Sequence, residues 1–200
     1  MGKIKQRPSF TLGAISLIGL FLVAGCANTP NYRYYRLQAE VAEQTTKPIS
    51  QSVGLEPVIL PAWMDSEVLA WNEGAYNIQR LEFERWGGEA RTLINQTISQ
   101  NLSSLTGQEE ITIGPWFANN RPDLAIEVTI ENLSYTNGAL TLTTTWKIKD
   151  KRRKAIDVST KYSTSTPILP ADPVTGQSLA RGMSQLLADL SQAIVKQLPK

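Results

Sequence analysis

Leu124, Ile126, Val128 and Ile130 alternate with Glu127, Thr129 and Glu131, and this period of two constrains the fold more than any other feature. It predicts a half-buried strand. Asn137-Gly138 follows, the strongest short hairpin signal a sequence offers, and leads into Leu140, Leu142, Thr144, Trp146 and Ile148, again at period two. Beyond Lys151-Arg152-Arg153-Lys154, the residues Ile156, Val158, Thr160 and Tyr162 predict a third strand, so that 124–162 reads as a meander.

Earlier strands are expected at Tyr34–Leu37 and at Val53–Leu60, the second stopped by Pro61. Asn72-Glu73-Gly74-Ala75 sits between Glu67–Trp71 and Tyr76–Leu81 as a further hairpin. Two helices are expected. Between Glu89 and Leu105, Ala90, Leu93, Ile94, Ile98, Leu102 and Leu105 keep helical spacing, with Gly107 placed as a C-terminal cap. The closing helix carries Leu179, Met183, Leu186, Leu187, Leu190, Ile194 and Leu198 on one stripe, with Asp172 as its cap and Pro173 at its first position. The order of elements predicts an α/β (α+β) fold, a single mixed, largely antiparallel sheet with two main helices packed on it.

The amino terminus is of a different kind. Lys3, Lys5 and Arg7 precede an uncharged apolar run from Phe10 to Ala24, the layout of a secretory signal. As a helix the run would reach about 22 Å, short of a hydrocarbon core of about 30 Å, so export is favoured over a membrane span. Val23-Ala24-Gly25-Cys26 looks like a bacterial lipobox, with cleavage between Gly25 and Cys26 and lipid on the cysteine. Three acyl chains, at about 0.8 kcal/mol per buried CH₂, would make attachment permanent. Ala27, rather than Asp, favours the outer membrane by resemblance to enterobacterial sorting. The chain thus divides into a signal peptide (1–25), a lipidated tether (26–32) and a periplasmic domain (33–200). Six extended residues of tether reach about 20 Å, which keeps the domain close to the bilayer.

Composition limits function. Removing the signal leaves 17 basic residues against 18 acidic, giving no net field to gather nucleic acid. There is no histidine and one cysteine, which removes imidazole bases, histidine triads, zinc sites and internal disulfides. Covalent lipid on Cys26 is the one attached group expected, with no metal and no cofactor. Glu82 and Glu84 could imitate an acid–base pair but read better as a solvated face, and Glu109-Glu110 has less claim. No Gly-x-Ser-x-Gly elbow and no phosphate-binding glycine loop is present. The tetrad 151–154 reads as a solvated turn, with contact to anionic lipid or an acidic partner as the alternative. Five tryptophans are a high count. Trp63, Trp71, Trp86 and Trp116, with Tyr34 and Tyr35, are residues of a kind that interfaces favour, though each reads first as core; of them Trp63, between Pro61 and Met64, is the one most expected at the surface.

Several motifs resemble the auxiliary lipoproteins of Mce-type transport systems, the PqiC/YmbA family. They are Tyr34-Tyr35-Arg36-Leu37, the Leu-Pro-x-x-x-Asp segment from Leu60 to Asp65, the Arg85-Trp86 pair before the first helix, and the closing helix from Met183 to Ile194. Many relatives place Arg after the Asp, where this chain has Ser66-Glu67. The resemblance implies a non-enzymatic adaptor at the periplasmic face of the outer membrane. Its partner would be a periplasmic Mce-domain protein, and its role would be in lipid transport and membrane integrity. Ring-like homo-oligomers are also implied. Trp63, Asp65, Arg85 and Trp86 are the candidate partner interface. The rival reading is a periplasmic carrier that itself binds lipid.

Overall fold

The computed structural model describes residues 31–41, 49–151, 158–169 and 173–199, together with Gly2. The apolar signal run, Cys26, Asp172 and most of the basic tetrad lie outside these residues. The chain divides into Met1–Asn31 and Tyr32–Lys200, and the second unit carries all that follows.

Its elements are β1 (Arg33–Tyr35), β2 (Val53–Leu55), β3 (Val68–Glu73), β4 (Asn77–Trp86), α1 (Ala90–Thr106), β5 (Thr112–Ile113), β6 (Leu124–Thr136), β7 (Ala139–Asp150), β8 (Val158–Pro167) and α2 (Gly176–Val195). The eight strands form one mixed sheet whose spine is β6. One edge of β6 pairs with β7, antiparallel, and β7 pairs with β8. The other edge is shared. Its first half takes β2, parallel through Val53–Leu55 against Leu124–Ile126, and its second half meets β3 at Asn72–Ser134. A bulge between Ile130 and Asn132 lies between the two. β5 flanks β2, β4 flanks β3, and β1 adds to the end of β4 in parallel.

The predicted alternation is the inside and outside of this sheet. Leu124, Ile126, Val128, Ile130, Leu140, Leu142, Trp146 and Ile148 are buried and join the helices in one core. The opposite face carries threonines, serines and ion pairs: Lys149 Nζ lies 2.7 Å from Glu127, and Lys161 3.4 Å from Glu131. Asn137 (φ 51°) and Gly138 (φ 80°) both take left-handed backbone, as the tightest hairpin turn requires. In α1, Gly107 takes φ 71° and its N–H donates to Ser103 O, closing the helix as expected.

Several boundaries differ from expectation: β1 spans Arg33–Tyr35 rather than Tyr34–Leu37, and β8 runs past Tyr162 to Pro167. β2 ends at Leu55 because Pro57 has no N–H for the ladder. Pairing with β6 resumes at Ile59, whose N–H donates to Val128 O at 3.0 Å. β4 continues past Leu81 to Trp86. α2 begins at Gly176, so Pro173 lies outside the helix and does not open it. The cap is Thr175, whose hydroxyl accepts from Ser178 N while the Ser178 hydroxyl accepts from Thr175 N, a complete capping box. Among the described residues no helix is long and apolar enough to cross a membrane.

Candidate partner-binding surface

The Leu60–Asp65 motif forms the excursion between β2 and β3. Pro61 O accepts from Met64 N and Asp65 N, so the segment makes one tight turn at the edge of the sheet. Leu60 and Met64 are buried and fasten the turn to the core, while Trp63 between them is half-buried against it. Asp65 is paired with Arg91 in the first turn of α1. The cation that meets this Asp thus comes from the helix, while the next residues in the chain are Ser66 and Glu67. A carboxylate beside a helix N-terminus is also favoured by the helix dipole.

The Arg85-Trp86 pair, also placed at the candidate interface, is held largely by the fold itself. Trp86 is 7% exposed and belongs to the core, its backbone N–H donating to Glu67 O at 2.7 Å, so it has little surface to offer a partner. Arg85 is committed to its own strand. Between the pairs Val68–Arg85 and Ala70–Arg80, a step of two residues in β3 spans five in β4. This large bulge leaves carbonyls without ladder partners. Arg85 Nη1 donates to Leu81 O, Glu82 O and Glu84 O at 3.1, 2.8 and 2.9 Å, and its guanidinium stacks 4.7 Å from the Tyr32 ring centroid.

The same bulge separates the two glutamates. Glu82 is exposed, as a solvated reading expects, whereas Glu84 is buried. Arg33 Nη2 donates to Glu84 Oε1 at 2.5 Å, and Glu84 Oε2 accepts from Gly176 N, the first residue of α2. Burial, then the neighbouring Glu84 charge, push the Tyr35 hydroxyl pKa up from its ordinary 10.0. A Cβ on Gly176 would run into Glu84 Oε2 and the Tyr35 ring. Sequence reasoning missed this joint because its partners are far apart in the chain. Among the described residues no group of three or more metal-capable side chains gathers.

Of the remaining tryptophans, Trp71 and Trp146 are buried. Trp116 is half-buried over Gly54, where a Cβ would approach its ring to 2.6 Å, and its indole N–H donates to Thr112 Oγ1 at 3.1 Å. The exposed aromatics are spread: Tyr76 in the β3–β4 turn and Phe117 beyond β5 are the most exposed, and three more lie near β1 and β4, where Tyr34 is 65% exposed and Tyr32 lies 6.2 Å from Phe83 between centroids. From the basic tetrad, Lys151 donates to Arg121 O at 3.3 Å and the rest lies outside the described residues.

Over residues 35–195 the sequence matches the family described as the ABC-type transport auxiliary lipoprotein component. The chain belongs to this family. The match opens inside the Tyr-Tyr-x-Leu strand and closes on the last residue of α2, in keeping with the resemblance to PqiC/YmbA proteins. An auxiliary transport lipoprotein is an envelope component tied to a membrane, and its family role is not enzymatic. Two solved structures share the fold. A Xanthomonas campestris protein of family DUF330 superposes with a TM-score of 0.66 at 12% identity, covering 82% of this chain and 92% of its own. An uncharacterised protein gives 0.62 at 12% identity, covering 84% and 99%. No curated protein matches the sequence significantly.

Proposed function

We propose that this family member is anchored by lipid on Cys26, after cleavage at Gly25, to the periplasmic face of the outer membrane. There it docks, without catalysis, onto a periplasmic Mce-domain protein and helps complete a lipid path across the periplasm. The observation that carries the reading is the match to transport auxiliary lipoproteins beginning shortly after Val23-Ala24-Gly25-Cys26. The sheet–helix interface supports an adaptor over a carrier, because one continuous core occupies its centre and the clefts along the seam of the closing helix and the last strand open at the surface. The aromatics near β1 and the half-buried Trp63 supply contact surface of the kind interfaces favour.

Metabolic labelling with a fatty-acid analogue, followed by membrane fractionation and native mass spectrometry, tests it. Cys26→Ser is expected to lose the label and to leave the precursor uncleaved. An unlabelled wild-type chain overturns the anchor. A stoichiometric complex with an Mce-domain protein supports the adaptor, whereas lipid copurifying with every monomer turns the reading to a carrier.

A further inference from the structure

Among the described residues β8 pairs with β7 alone, so its outer row of N–H and C=O groups has no strand beside it. Proteins defend such edges with short strands, bulges, charges or proline. The other free edges here follow that rule: β1 has three residues, β5 has two, and β4 is bulged. β8 does not. It runs ten residues in unbroken register with β7, from Ala139–Pro167 to Ile148–Val158, with proline only at its last position and Lys161 as its one charge.

A groove runs beside this edge. α2 lies antiparallel over β8, with Thr160 Oγ1 donating to Gln197 Oε1 at 2.9 Å near one end and Thr164 Oγ1 to Asp189 at 3.3 Å in the middle. Two cavities open along the seam. One, of about 430 Å³, has Trp146 and Tyr162 on its wall, with Asp189, Ala193 and Lys196 from the helix side. The other, of about 230 Å³, lies between Thr166–Leu169 and Arg181–Gln185, and its rim holds Leu169, 77% exposed.

We propose that this edge and groove accept an extended segment of a different polypeptide as a ninth strand, with side chains entering both cavities. The proposal deepens the adaptor reading and rests on it for the partner's identity as a protein. The edge fixes the occupant's chemistry, since only another extended backbone matches donors and acceptors repeating along a strand. The cavities fix its origin. A second copy of β8 would bring Thr160, Tyr162 and Thr164, but these are already engaged by Gln197, Trp146 and Asp189 of their own molecule. The occupant must present side chains with no helix of its own packed on them. Positions level with Tyr162 and Thr166 share one face, so the segment carries apolar residues four apart.

The test screens the full chain in detergent against a displayed library of random short peptides, then follows amide hydrogen exchange of the complexes. Enriched peptides with apolar residues four apart are expected to slow exchange along β8 and leave β6 unchanged. Ala193→Phe, which fills the larger cavity, is expected to weaken binding about tenfold. Gln185→Phe does the same for the smaller one, should the first variant fold poorly. Peptides that leave β8 exchanging freely, or that bind both folded variants at full strength, overturn the proposal. So does self-association that protects β8 without peptide. An Mce-domain protein that binds while β8 exchanges freely overturns this inference and leaves the adaptor reading standing. Peptide protection without any Mce-domain complex does the reverse.

Discussion

At Glu84 one buried side chain joins β1, β4 and the start of α2, through Arg33 and the Gly176 N–H. Removing it leaves that N–H buried without an acceptor, a loss of about 1–3 kcal/mol. Glu84→Ala should therefore lower the unfolding midpoint in urea, and Glu84→Gln, which keeps an acceptor oxygen, should lower it less. Gly176→Ala probes the same joint from the other side, where a methyl has no room; overpacking of this kind costs about 1–3 kcal/mol. On the open sheet face, the hydrogen bond from Lys149 holds the Glu127 carboxyl below its ordinary 4.5. Because the folded state lowers this pKa, the stabilisation is complete above 4.5 and is lost as the pH falls through the folded value. Melting temperatures measured from pH 7 down to acid should show a shallower decline for Glu127→Gln than for the parent. Parallel curves would remove the pair from the acid response.

Elements whose signal is local were legible from the chain. β6, the Asn137-Gly138 turn and β7 follow from alternation and two left-handed residues, and α1 from its apolar spacing and Gly107. Bounds set by distant partners were not: the first strand, expected at Tyr34–Leu37, spans Arg33–Tyr35. β1 is a strand because the end of β4 lies beside it, and β4 extends past Leu81 because Arg85 satisfies the carbonyls of its bulge. The start of α2 illustrates a contest between signals: the Asp172-Pro173 pattern gives way to a Thr175–Ser178 box adjoining the Glu84 acceptor. The turn gives a prediction at this scale. Gly138→Ala places a Cβ at φ 80°, at a cost of about 1–2 kcal/mol, and should lower the midpoint without changing the sheet's circular dichroism.

For the molecule as a whole, the candidate surface was half legible. Trp63 and Asp65 do sit on one exposed turn, because a proline-bounded segment leaving a sheet must run over the surface. Trp86 has the same residue type but opposes β1 inside the sheet, and identity alone cannot distinguish the two positions. Trp63→Ala should weaken complex formation with the transport partner about tenfold. Being half-buried, it should lower the melting temperature by only about 2–4 °C. Collapse of the fold would instead make Trp63 a core residue.

The shared edge of β6 also sets a timetable. Ribosomes deliver a chain from its amino end, and β2 finds its neighbour only once Leu124–Ile126 has been made. Until then its apolar residues stay unsheltered, which calls for an escort during biogenesis and makes late truncations more harmful than their length suggests.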